Sequence, residues 1–234
     1  MSHPLLELQA ADTMAEQLRY RREHLPERDR VQAAKNDLLR WNQAVTLRRD
    51  RMAALTTEIE ADEARGQAID AQRTKLNAQL RTVMAIREAE ALQHELATLA
   101  DDRSALDDSE LEALEEQSRL DDELVELAER EGPLRDVYVE ADSVLKAAAA
   151  DIDAELERVA HRLDGLRAAV DKAQLKRYDA LRKDGPVAAA ALVGSRCEGC
   201  HLDLAPAELD KVRASAKSGG VTDCPNCGRL LVVA

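Results

Sequence analysis

The chain of 234 residues has no Phe, one Trp (Trp41) and three Tyr (Tyr20, Tyr138, Tyr178). Aromatics normally fill much of a globular core, because each buries a large area. With 9 Gly and 6 Pro, the chain also lacks the turn residues that a many-stranded fold consumes. Together these absences argue against a Rossmann sheet, a barrel or another large catalytic fold. No stretch reaches 18 consecutive apolar residues, so no membrane-spanning helix is expected. The N-terminal Met1–Leu8 stretch carries an early acid and no apolar signal core, which makes the cytoplasm the expected location. Cations are outnumbered, and the net charge is −13. Nucleic-acid binding is driven by cations that displace counterions, so such a chain is a poor generic binder of nucleic acid or anionic membrane.

What is present is helix-forming. Ala and Leu dominate a 45% hydrophobic content, and 34% of residues are charged. From Val31, steps of three and four give Ala34, Leu38, Trp41, Val45, Arg48, Met52, Leu55, Ile59, Asp62, Gly66, Ile69, Arg73, Leu76, Leu80 and Val83. Twelve of these sixteen positions are apolar, a sustained heptad that predicts a coiled coil. A second run extends from Leu92 to Tyr138, interrupted by Arg103, Glu110, Gln117 and Glu131. A third follows Ile152, Leu156, Val159, Leu163, Leu166, Val170 and Ala173, offset by a stutter near Ala147–Ala150. Gly132-Pro133 is expected to kink the second arm, which is read as one helix over about Glu88–Arg182.

The break in register places the hairpin tip near Met84–Glu90, with Asp101–Asp108 as the competing site. Met52 and Met84 are read as seam filler, and Trp41 as a packing anchor. Leu5, Leu8, Ala15 and Leu18 predict a short helix folding onto the base of the rod. Asp101–Glu131 holds fourteen acids and three bases, while Arg19–Arg51 holds ten bases and five acids. Opposite signs on two arms favour an intramolecular antiparallel pairing. A monomeric hairpin is therefore preferred to a parallel dimer of rods. The acidic arm is alternatively a docking surface for a basic partner.

After Gly185-Pro186 the grammar changes. Val187–Val193 and Arg229–Ala234 read as strands forming a two-stranded ribbon, and residues 205–217 as a short helix. All four cysteines lie here, as Cys197-Glu-Gly-Cys200 and Cys224-Pro-Asn-Cys227. Two Cys-x-x-Cys knuckles at this separation predict a tetrahedral site with one structural zinc. Each knuckle presents two thiolates to one metal while backbone amides point at the sulfurs. Gly199 and Gly228 are assigned the permissive backbone of the two turns. Four protein ligands leave no open position for catalysis. Disulfides are disfavoured in a cytosolic chain, and thioredoxin-type redox chemistry lacks its fold. Cys197 to His201 also matches a haem attachment pattern, but no methionine follows Met84 to serve as an axial ligand. His201 is placed facing solvent or behind the ligands. His3, His24, His94 and His161 are scattered, no phosphate loop is present, and no catalytic set emerges.

Taken in order, these parts resemble the bacterial coiled-coil proteins with a C-terminal C4-type zinc ribbon. The resemblance rests on Tyr178–Gly185, the two knuckles, Leu202-x-Leu204-x-Pro206 and Cys227-Gly-Arg-Leu-Leu231. It implies a mainly α fold: a kinked antiparallel coiled-coil hairpin over 1–184, joined through a β-ribbon to a zinc ribbon over 185–234. It also implies a non-enzymatic adaptor or chaperone role. Some relatives are linked to an alternative sigma factor, flagellar regulation or type III secretion, and RNA binding by the ribbon has been proposed among them. The expected partners are therefore proteins. The alternative is a nucleic-acid-binding factor using the ribbon. Against it, residues 185–234 hold five acids and five cations (Arg196, Lys211, Arg213, Lys217, Arg229) and lack aromatics for base stacking.

Overall fold

The computed structural model describes residues 3–216 and 220–233. Its elements run α1 (Pro4–Glu23), α2 (Glu27–Leu80), α3 (Ile86–Ala169), α4 (Lys172–Asp184), β1 (Ala189–Val193), β2 (Arg196–Cys197), α5 (Pro206–Ala216), β3 (Val221–Asp223) and β4 (Leu230–Val233). The chain divides into two compact units, Arg30–Ala141 and the combination of Met1–Asp29 with Asp142–Ala234.

In the Arg30–Ala141 unit, α2 and α3 pair antiparallel. Steps forward along α2 are matched by steps back along α3: Trp41 meets Leu127, Arg51 meets Glu116, Asp62 meets Ser109, and Gln72 meets Glu95. All sixteen positions of the run from Val31 to Val83 are buried or half-buried, and so is each position of the run from Leu92 to Tyr138. The seam's polar interruptions are also placed. Gln117 donates to Thr56 Oγ1 (2.9 Å), and Arg48 pairs with Glu123. The reversal occupies residues 81–85, at the leading edge of the predicted tip, while Asp101–Asp108 lies inside α3. Met84 is not seam filler. It sits on the turn and is 98% exposed, because the helices end before its register position can find a partner. Helix α3 continues through Pro133.

The other unit is built on α1. Its Leu5, Leu8, Ala15 and Leu18 are buried, as the apolar spacing predicts. One cluster joins Ala11, Ala15 and Leu18 to Ala149, Ile152 and Val159 of α3. A second joins Leu5 and Leu8 to Tyr178, Ala188, Ala189, Leu230 and Val232, so α1 packs against the sheet as well as the helices. Burying such a leucine contributes about 1.5–3 kcal/mol. The predicted single arm to Arg182 is broken. Helix α3 stops at Ala169, and Asp171 caps a new helix by accepting from the amides of Ala173 (2.8 Å) and Gln174 (3.2 Å). Ala173, a predicted seam position, is consequently exposed.

The two predicted strands do pair, parallel, with Ala189 opposite Leu230 and Leu192 opposite Val233. They form the centre of a four-stranded sheet of order β2-β1-β4-β3, where the sequence suggested a two-stranded ribbon. The short helix is α5, Pro206–Ala216; Lys217 and Ala234, the ends of two predicted elements, lie outside the described residues.

Candidate metal centre

The first knuckle begins on the last residue of β2 and the second directly follows β3, and the two share one design. In the first, the His201 amide donates to the Cys197 carbonyl (2.7 Å); in the second, the Gly228 amide donates to the Cys224 carbonyl (2.8 Å). Each turn then requires a left-handed residue after its second cysteine. Those residues are His201 (φ 61°) and Gly228 (φ 70°). Gly199 has a different task from the predicted one. A Cβ there would lie 2.9 Å from Ala190 Cβ and 3.1 Å from Arg229 Cδ, so glycine is needed for close approach. His201 is exposed, and its backbone, not its ring, serves the site.

The four Sγ atoms lie within 4.8 Å of one another, and Cys200 Sγ is 4.0 Å from Cys224 Sγ. A tetrahedral zinc with Zn–S bonds of ~2.3 Å sets its sulfurs ~3.8 Å apart. The cluster therefore fits that ion. The electrostatics differ between the cysteines. Burial raises the Cys197 thiol and pushes Cys224 up to about 12, because a buried thiolate loses hydration. Backbone amides of Gly199 and Cys200 oppose this at Cys197, and those of Asn226 and Cys227 at Cys224. At Cys200 an amide bond from Leu202 is the largest influence and lowers the thiol. Buried thiols already ringed by amide donors are suited to a cation that favours their thiolate form.

Residues 8–186 match the model of the CT398-like coiled coil hairpin domain. The chain belongs to this CT398-like family. Residues 196–231 of this CT398-like protein match the C4-type zinc ribbon domain, which agrees with the cysteine geometry and supports zinc binding. Among solved structures, CT398 from Chlamydia trachomatis is 24% identical, with a TM-score of 0.77 over 99% of this chain and 96% of that one. A Mycobacterium smegmatis protein is also 24% identical, with a TM-score of 0.78 over 98% and 96%. HP0958 from Helicobacter pylori is 18% identical, with a TM-score of 0.61 over 98% and 95%. At these identities the likeness shows the fold alone. Comparison with curated protein sequences gives no match.

Two residues support the site in roles that the sequence did not assign them. Arg229 links the knuckles: its Nε donates to the Val187 carbonyl (2.9 Å) and its Nη1 to the Gly199 carbonyl (2.5 Å). Gln9 ties α1 to the start of the sheet. Its Oε1 accepts from the amides of Ala188 (2.7 Å) and Ala189 (3.2 Å), and its Nε2 donates to the Pro186 carbonyl (3.0 Å). A buried glutamine satisfying three backbone groups is visible only once the chain has folded.

Proposed function

We propose that this CT398-like protein is a non-enzymatic adaptor acting as a monomeric hairpin. It binds protein partners through its paired helices and a ribbon held by one structural zinc on Cys197, Cys200, Cys224 and Cys227. The donor set supports the structural role, since four sulfurs fill a tetrahedral ion. Intrachain coverage of the seam supports the monomer. The observation that carries the protein-binding reading is the large apolar side chains exposed along the helix pair, among them Leu39, Leu47, Leu111, Val125, Val137 and Val139. Contiguous apolar surface set among charges marks sites of protein association, and Leu39 and Val139 line one open cavity together with Leu38, Trp41 and Tyr138. No helix among the described residues is long and apolar enough to cross a membrane.

The test is affinity capture by the full-length, zinc-loaded protein from its host, run in parallel with and without nuclease treatment. The adaptor reading expects stoichiometric protein partners that survive nuclease. Recovery of RNA or DNA alone, confirmed by filter binding that weakens steeply with salt, would replace it with the nucleic-acid reading. Removing residues 186–234 is a poor control, because Leu5 and Leu8 pack on that segment.

A further inference from the structure

One region of the Arg30–Ala141 unit has the features of a defined docking groove. Two adjoining cavities of ≈ 600 and ≈ 310 Å³ share Trp41 and Asn42 along one flank of the α2–α3 pair. Their apolar floor includes Leu38, Trp41, Val45, Leu124 and Tyr138. Trp41 is fixed in place, because its indole Nε1 donates to the Leu127 carbonyl at 2.7 Å. A tethered tryptophan beside an open cavity is the kind of rigid aromatic anchor that dominates interfaces. Leu39 and Val139 extend the apolar surface, at 50% and 63% exposure.

The rim is basic, in a chain of net charge −13. Lys35 and Arg49 line opposite ends of the groove on α2. They are fourteen residues apart, about four helical turns or ~21 Å. Other arginines of α2 are spent within the unit: Arg48 pairs with Glu123, and Arg51 with Glu116. Lys35 and Arg49 have no such partner among the described residues. On the α3 side the rim has Arg135 and Glu131, which bind each other (2.7 Å).

We propose that this groove receives an acidic amphipathic helix of about four turns from a partner protein, with its apolar stripe on Trp41 and carboxylates at Lys35 and Arg49. The spacing and sign of the two cations select the occupant. A nucleic acid needs closely spaced cations along its phosphates, whereas here two cations stand ~21 Å apart over an apolar floor. The proposal rests on the protein-binding reading above and names where that binding occurs.

Trp41 is the chain's single tryptophan, so a change in tryptophan emission reports on its surroundings. These are the groove and a neighbouring cavity lined by Arg40 and Arg130; the Lys35 and Arg49 substitutions tell the two apart. The experiment titrates the full-length, zinc-loaded protein with an 18-residue synthetic helix bearing a leucine stripe flanked by Glu, and with its twin bearing Lys for Glu. We expect a saturable shift in Trp41 emission with the Glu peptide and about tenfold weaker binding of the Lys peptide. The doubly substituted Lys35→Glu/Arg49→Glu protein should invert that preference. Both positions are exposed, so its far-UV circular dichroism should match wild type. No saturable response to the Glu peptide, or equal affinity for both peptides, overturns the proposal. So does displacement of the Glu peptide by a 20-nucleotide RNA, which would make the groove a nucleic-acid site. An emission change on raising protein concentration alone would assign the groove to a second copy of the chain. A negative titration alongside nuclease-resistant protein capture refutes the groove and leaves the adaptor reading standing. Capture that recovers no protein refutes the adaptor reading, whatever the peptides do.

Discussion

At the scale of single residues, two side chains are held for reasons their chemistry does not advertise. His201 occupies the left-handed position that Gly228 fills in the companion knuckle. Glycine reaches this conformation freely, whereas a β-branched residue is strained there. His201→Gly is expected to leave thermal stability within about 1 kcal/mol of wild type, and His201→Val to lower it by about 1–2 kcal/mol. Equal effects of the two substitutions would contradict a backbone role. Tyr178 is fully buried and donates to the Asp12 carboxylate at 2.6 Å. Burial first, then that carboxylate, raises its ionisation well above the ordinary range, against smaller opposing influences from Arg182 and Arg167. The folded state therefore keeps the phenolic proton that the unfolded chain releases near pH 10. Above that pH the native state binds more protons, so stability falls as pH rises. Tyr178→Phe should cost about 1–3 kcal/mol at neutral pH. It should also flatten the alkaline decline in urea unfolding, and an unchanged slope would refute the assignment. The four cysteines were legible because metal ligation imposes a spacing. The solvent-facing side chain of His201 was legible too, but its left-handed backbone was not, because no side-chain property of histidine signals that conformation.

At the scale of elements, the heptads located the seam because burial follows the helical period, whatever residue occupies the position. Gly66 and Arg103 show why even polar seam positions are buried. A Cβ on Gly66 would lie 2.7 Å from Arg103 Nη1, so the guanidinium rests where a side chain would be. Arg103 also meets Asp107 (2.7 Å), Asp70 (3.7 Å) and Glu110 (3.7 Å). Alanine normally stabilises a helix by about 1 kcal/mol relative to glycine. Gly66→Ala should give that gain in an Arg103→Ala background and fail to give it in the wild type. A double-mutant cycle by urea denaturation would measure the coupling, and additive effects would contradict it. The break after Ala169 was hidden, since the heptad continues and its one signal, the Asp171 cap, is a common residue in an acidic chain. Asp171→Ala should cost about 1 kcal/mol, read in the same denaturation experiment. Strands β2 and β3, at two and three residues, are too short to carry an alternating pattern.

At the scale of the whole molecule, the two units should answer differently to metal. In Arg30–Ala141, the described contacts are the apolar seam and the ion pairs between α2 and α3. In the other unit, the sheet beside the cysteines is also the floor for Leu5 and Leu8, and Gln9 ties α1 to β1. Loss of a structural metal removes folding free energy where its ligands are. It should therefore be felt in α1 as well as the ribbon, a coupling the sequence concealed because Gln9 and Ala188 are 179 residues apart. The most direct measurement is hydrogen exchange of the full-length protein, zinc-loaded and after chelation, resolved by peptide. The account predicts faster exchange on chelation in residues 188–233 and in α1, with residues 45–76 and 99–127 unchanged. Protection of 188–233 that survives metal removal, or its simultaneous loss in 45–76, would contradict a metal-held ribbon and a self-sufficient helix pair.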